Sequence, residues 1–142
     1  MSRRADESLS LEEHEAEATA WGGHVASVSC REELDHLRTI HGGEMLLGAK
    51  RKEDGTATDG GAAAWEWTDG TPWHYTNWQP GEPNGDPIGE TRVQMYDIGT
   101  WIDQSSGTSL AAIYKKPLAC WRVVFRQTYS HGGKTRSKLG SV

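Results

Sequence analysis

Glu82, Asn84, Glu90 and Asp103 all offer side-chain oxygens within one short stretch of the chain. Glu82 and Asn84 flank Pro83 in Gln79-Pro80-Gly81-Glu82-Pro83-Asn84-Gly85-Asp86, a run whose proline and glycine content marks a turn. Asp103 comes directly after Trp101 and Ile102. Oxygen donors with no His or Cys among them suit a hard cation such as calcium, which takes roughly six to eight oxygens at about 2.3–2.6 Å. The backbone carbonyl of Asp103 could add one more. The same groups could hydrogen-bond a hydroxylated ligand. On spacing and composition alone, a solvated acidic turn is the plainer reading.

If the cation is real, its physics is simple. Three carboxylates gathered without a cation repel one another. The site should be loose when empty and ordered when filled, and binding should add stability by mass action. Pro83 fixes its own φ and biases Glu82 towards an extended conformation. A cis Glu82–Pro83 bond would swing the two flanking side chains to one side.

The elements that must position these residues read as an α+β pattern. Residues 1–9 are expected as a flexible lead. Ser10 is an N-cap candidate with Glu13 completing a capping box. Leu11 to Ala20 then reads as a helix that Gly22-Gly23 ends. His24 to Val28 alternates like a strand. A second helix begins at Ser29 or Cys30, with Glu32 and Glu33 suiting its positive end. Leu34, Leu37 and Ile40 share its buried face, and Gly42-Gly43 closes it. Short strands are expected at Met45–Ala49, Trp65–Trp67, Thr91–Tyr96, Gly99–Ile102 and Ala111–Tyr114. Long polar loops separate them, and loops of that length are commonly functional or disordered. Trp73, Tyr75 and Trp78 favour an ordered loop. Trp65, Trp67, Trp78 and Trp101 are expected in the core, whereas Trp73 and Tyr75 could stack on a sugar or a protein partner.

Composition narrows the class. The chain has 142 residues, 35% of them hydrophobic, which suits one domain with a modest core. Its seven tryptophans add apolar area beyond that count. The formal net charge of -5 argues against nucleic acid. No run approaches the roughly 18–20 apolar residues that cross a bilayer, so no transmembrane segment or direct membrane insertion is expected. No signal peptide is read in this chain. Cys30 and Cys120 are read as a pair of separate thiols, since two cysteines are too few to identify a disulfide scaffold. The six histidines show no metal spacing. Glu82 and Glu90 as an acid–base pair for glycoside hydrolysis would lack a deep cleft on a surface loop. No catalytic residues, and no enzyme, are expected.

Taken together, several segments resemble a C-type lectin-like domain from about residue 10 to residue 116. They are Gly23-His24-Val25-Ala26-Ser27-Val28, Leu47-Gly48-Ala49, Trp65-Glu66-Trp67-Thr68-Asp69-Gly70-Thr71-Pro72 and Asn77-Trp78-Gln79-Pro80-Gly81-Glu82-Pro83-Asn84. Glu90 and Trp101-Ile102-Asp103 then fall at the family's spacing. The resemblance implies a double-loop α+β domain with two helices and small antiparallel sheets. It implies a cis Glu82–Pro83 bond. It also implies Glu82, Asn84, Glu90 and Asp103 as shared calcium and carbohydrate-binding residues, with Ca2+ as cofactor. The Glu-Pro-Asn triplet resembles the mannose-type version, for sugars with vicinal equatorial hydroxyls, rather than the galactose-type Gln-Pro-Asp. The resemblance further implies a glycan or glycoprotein partner and an extracellular or cell-surface setting.

The chain also departs from that pattern. Ile102 stands where sugar-binding members have Asn, and isoleucine can neither ligate a cation nor hydrogen-bond a hydroxyl. The family's paired core cysteines are missing, with Ser106 and Tyr114 at the spacing of the last two. Asp59 is the single carboxylate from Gly55 to Ala64, so further calcium sites are not evident. The family's first strand is not recognisable in residues 1–9. Two readings therefore stand: a calcium-dependent carbohydrate-binding module, and a lectin-like protein-interaction domain that has lost sugar binding. Residues 117–142 are expected as a basic C-terminal extension, partly disordered, and the oligomeric state is left open.

Overall fold

The computed structural model describes residues 1–85 and 89–116, together with the backbone of Ser130–His131 and Lys134–Thr135. In chain order the elements are β1 (Ser2–Leu9), α1 (Leu11–Trp21), β2 (His24–Val25), α2 (Arg31–Ile40), β3 (Met45–Arg51), β4 (Trp65–Trp67), β5 (Glu90–Met95), β6 (Trp101–Ser105) and β7 (Leu110–Lys115). Two short strands, β8 (Ser130–His131) and β9 (Lys134–Thr135), pair antiparallel. The rest of the expected C-terminal extension lies outside the described residues.

The α+β class with two helices holds. Where small antiparallel sheets are expected, the seven strands β1 to β7 join in one sheet of order β1-β7-β3-β5-β6, with β2 on β7 and β4 on β3. Every pair in it is antiparallel except β3 with β7, where Met45 faces Ala111 and Leu46 faces Ala112. Met45 to Ala49 is apolar at every position because both faces of β3 are covered. Met45, Leu47 and Ala49 join Leu34, Leu37, Val93, Ile113 and the tryptophans on one side. Leu46 joins Leu11, Ala18, Val25 and Tyr114 on the side that α1 packs against.

The flexible lead expected for residues 1–9 is corrected. That segment is β1, antiparallel to β7 with Ser2 opposite Lys115 and Ala5 opposite Ala112. Its polar sequence hides the strand, because only Ala5 and Leu9 alternate towards apolar neighbours. Helix α1 has the expected start. Glu13 N donates to Ser10 Oγ (3.3 Å) and Ser10 N donates to Glu13 Oε2 (2.8 Å). It stops at Gly22, whose φ of 91° is left-handed. Helix α2 ends at His41, in an extended conformation, one residue before the glycine pair. The expected strand from His24 to Val28 shrinks to two residues, although Ala26 N still donates to Ile113 O (2.8 Å) in the same register. Cys30 is disulfide-bonded, which corrects its reading as a thiol. The other cysteine in the sequence, Cys120, lies outside the described residues.

Two close contacts lock α1 and β2 onto the sheet. Gly48 brings its backbone so near β2 that a Cβ would sit 2.4 Å from Val25 O. His14, fully buried, holds Leu110 O with Nε2 (2.7 Å) and Tyr114 Oη with Nδ1 (2.8 Å). Tyr114 Oη in turn donates to Glu17 Oε2 (3.0 Å). Burial, and next the bond to Glu17, push the Tyr114 phenol well above its ordinary range, so it stays a donor. Replacing His14 by Ala strips the part-buried Leu110 carbonyl of its side-chain partner and leaves the buried Tyr114 hydroxyl with Glu17 alone. Urea unfolding of His14→Ala should show a loss of about 1–3 kcal/mol with the slope unchanged.

Candidate functional site

The acidic turn rests on a scaffold of tryptophans. Trp65 is fully buried, Trp67 nearly so, and Trp73 and Trp78 pack beside them against Trp101. Three indole N–H groups converge on one stretch of backbone. Trp65 Nε1 donates to Asp59 O (2.9 Å), while Trp73 Nε1 and Trp78 Nε1 both donate to Gly60 O (3.0 Å each). The loop before β4 is thereby pinned although it has no regular structure of its own. Trp73 is 9% exposed and spends its N–H inside the fold. That corrects its reading as an exposed stacking platform. Tyr75 is partly buried, edge-on to Trp101 at 6.0 Å.

The segment carrying the acids is stitched to β6. Trp101 N donates to Asn77 O (2.9 Å) and Gln79 N donates to Trp101 O (2.8 Å), a parallel bridge around Trp78. Gln79-Pro80-Gly81-Glu82 then reverses direction, with Glu82 N donating to Gln79 O (2.9 Å). Proline second and a glycine of φ 86° third is the chemistry of a type II turn. The Glu82–Pro83 bond is cis. Beyond it, Gly85 lies so close to Ala57 that a Cβ would approach that methyl carbon to 2.4 Å.

Asp103 organises the tip of this loop. Alternation along β6 turns Trp101 and Asp103 inward and Ile102 the other way. The Asp103 side chain, 2% exposed, accepts from Asn84 N at Oδ1 (3.1 Å) and from Gly85 N at Oδ2 (2.9 Å). Asn84 Nδ2 donates to Glu82 Oε1 (2.8 Å). Glu82 Oε2 is buried, with no hydrogen-bond partner among the described residues. Burial first, and then the neighbouring Asp103, hold the Glu82 carboxyl above the usual carboxylate range, while the Asn84 bond opposes them. Glu82, Asn84 and Asp103 are therefore joined in one network. Glu90 opens β5, half-buried, opposite Ser105. Among the described residues no three His, Cys, Asp or Glu side chains are gathered closely enough to form a metal cluster.

Of the expected donors, Glu82 and Asp103 are the two with specific atoms that a hard cation could use. Glu82 Oε2 is an uncommitted buried acceptor, and each Asp103 oxygen keeps a second lone pair. Asp59 lies in the tryptophan-pinned loop, where its Oδ1 accepts from Gly61 N (2.8 Å). Reading Asp103 as a ligand from sequence misses its second job, closing the loop tip through backbone bonds. The signal for that job is local: Gly85 beside Asn84 supplies a bare, close-packed N–H.

Substitution and pH both test this network. Asp103→Asn puts an amide N–H2 against one of two backbone donors, so stability should fall by about 1.5–3 kcal/mol in chelator, measured by urea unfolding. A raised Glu82 pKa means the folded state binds its proton more tightly than the unfolded chain does. Calcium-free stability should therefore rise as pH falls from the raised value towards 4.5. Thermal melts of Glu82→Gln over the same window should lack that gain.

No protein-family model matches the chain. A type-2 ice-structuring protein of Brachyopsis segaliensis is 39% identical over 108 residues, covering 71% of this chain and 64% of that protein. Lymphocyte antigen 75 of Homo sapiens is 30% identical over 109 residues, 70% of this chain but 6% of the relative. The chain thus spans under two thirds of the length of these relatives. Among solved structures, a calcium-independent type II antifreeze protein superposes with a TM-score of 0.70 at 29% identity, over 82% of this chain and 86% of its own. The cow C-type carbohydrate-recognition domain of CD23, solved with a GlcNAc2Man3 oligosaccharide, gives 0.71 at 25%, over 84% and 88%. On this likeness in sequence and in fold, two helices on a mixed sheet, the chain belongs to the C-type lectin-like domains.

Proposed function

We propose that this domain binds carbohydrate in a calcium-dependent manner, with a mannose-type preference and weak affinity per site. The observation that supports it most is the bonded Glu82–Asn84 side-chain pair beside Asp103, with Glu82 Oε2 buried among them. In this reading Glu82, Asn84, Glu90 and Asp103 hold the cation. Calcium, when bound, supplies open positions that accept two neighbouring sugar hydroxyls. Glu82 and Glu90 accept hydrogen bonds from those hydroxyls, and Asn84 donates to one through its amide. Asp103 keeps the tip in place through Asn84 N and Gly85 N, and its spare lone pairs would be what it offers the cation. The neighbours of this fold include a carbohydrate-recognition domain, in keeping with a binding module rather than an enzyme. A glycan or glycoprotein outside the cell is the partner this reading requires. Among the described residues no helix is long and apolar enough to cross a membrane.

A second reading has its own support. Ile102 offers no donor or acceptor at the family's metal and sugar position, both Asp103 oxygens already hold backbone N–H groups, and a calcium-independent antifreeze protein shares the fold. In it, the domain binds a protein or another surface without metal or sugar.

Thermal melts separate the two. Calcium at about 100-fold over its Kd should raise Tm by roughly 5–10 °C and permit retention on mannose resin. Glu82→Gln should abolish that shift while raising the melting temperature in chelator, because it removes a half-buried charge beside Asp103. Glu82→Gln combined with Asn84→Asp should move retention towards galactose. A calcium-induced shift without mannose retention would leave the metal structural, and no shift at all would favour the second reading.

A further inference from the structure

Asn84 is followed by Gly85, and the chain has no other Asn-Gly pair. Such a pair carries its own reactivity. The main-chain nitrogen of the glycine can attack the asparagine Cγ, because glycine has no Cβ to obstruct the approach and a backbone free to make it. A bond forms between that nitrogen and Cγ, and the Cγ–Nδ2 bond breaks. Ammonia leaves with the proton that the glycine nitrogen gives up. Water then opens the cyclic imide. Opening at Cγ gives aspartate, and opening at the main-chain carbonyl gives a chain routed through the side chain. Asn77, the other asparagine of the sequence, precedes the bulky Trp78, and its Nδ2 donates to Gly99 O (2.8 Å).

The fold restrains the Asn84–Gly85 pair from several directions. Asp103 accepts Asn84 N at Oδ1 (3.1 Å) and Gly85 N at Oδ2 (2.9 Å). One carboxylate thus spans the two nitrogens on either side of the Asn84 Cα, and their separation fixes the Asn84 ψ. Asn84 Nδ2 donates to Glu82 Oε1 (2.8 Å), which orients the side chain. Gly85, at a φ of 68°, is wedged so that a Cβ would lie 2.4 Å from the Ala57 Cβ. Ring closure must turn the Gly85 nitrogen out of its bond to Asp103 and onto Cγ. While that bond lasts, the nitrogen stays planar and its electron pair stays in the peptide. Restraint therefore outweighs any help that Asp103 gives as a base. Asn84 itself is exposed, so water reaches the amide once the tip opens.

We propose that Asn84–Gly85 is a self-modification site, and that Asp103 sets its rate by controlling local opening of the loop tip. The product exchanges an amide for a carboxylate next to Glu82, which already lies beside Asp103. Carboxylates gathered in this way repel one another. The tip that holds itself together before modification is loosened by it. The modification goes beyond the proposed function and does not depend on it. Its effect on a ligand does rest on that reading, in which the Asn84 amide donates to a sugar hydroxyl.

The whole chain, kept in chelator at neutral and mildly alkaline pH and then mapped by mass spectrometry, should exchange NH2 for OH at Asn84 and not at Asn77. In the urea-unfolded chain the change at Asn84 should run at least about tenfold faster. Asp103→Asn should speed it in the folded chain by roughly tenfold, because a charge-assisted bond to Gly85 N is lost. A second measurement needs no variant. Hydrogen exchange at Gly85 N in the wild type should be slowed by the same factor as deamidation, since one opening exposes both. Asn84→Asp, which makes the product directly, should melt below the wild type in chelator. None of these readouts involves calcium or sugar, so a failure of either to bind leaves them standing. An Asn84 that reacts as fast folded as unfolded would overturn the proposal. So would an Asp103→Asn protein no faster than the wild type, or an unfolded chain unchanged at Asn84.

Discussion

Three indole N–H groups on two adjoining peptide carbonyls hold the loop half of this domain together. The stretch from Lys52 to Ala64 has little regular structure, and its backbone polar groups must be satisfied one by one. Trp65, Trp73 and Trp78 meet that need at Asp59 O and Gly60 O while burying large apolar rings. Trp101 closes the cluster from β6, edge-on to Trp67, Trp73 and Trp78. The same residue that completes this aromatic core is two positions from Asp103. Core and site thus share one short strand.

That sharing explains how the acidic turn is held as far as Gly85. A turn whose only order came from a cation would be loose without it. Here the tip is held by Asp103 to Asn84 N and Gly85 N, and by the close approach of Gly85 to Ala57. The residual conflict is local, a half-buried Glu82 carboxylate whose Oε2 is shut from solvent beside a second carboxylate. A cation, a proton or a neutral side chain can each relieve it. The fold leaves that one choice open and fixes the positions around it.

On the other side of the sheet the organisation is polar but closed. His14, Tyr114 and Glu17 form a chain of bonds from the buried face of α1 to solvent, and Glu15 receives Val25 N, His24 and Thr68. Lys115 pairs with Glu33 where both are nearly buried. Such networks specify how α1 and α2 seat on the sheet, because a shifted helix would leave several buried groups without partners. They leave β1 held mainly by β7.

Much of this was legible in the residues. The Ser10–Glu13 capping box, the Gly22 stop and the apolar run of β3 are local or periodic signals, set by steric and capping rules that act within a few residues. The Trp65-Glu66-Trp67 strand, the Gln79–Glu82 turn and the Glu-Pro-Asn unit are equally local. What only the tertiary structure decided depends on distant partners. Residues 1–9 carry almost no apolar alternation, and they form a strand because β7 offers an edge. Trp73 carries no mark of burial, and it is buried because Gly60 O lies within reach of its indole. Asp103 reads as a ligand from its type alone, yet two backbone N–H groups, eighteen and nineteen residues upstream, claim its oxygens. Local preference fixes what a segment can become. Which hydrogen-bond donor meets which acceptor across the chain is settled only when the sheet and the tryptophan cluster bring them together.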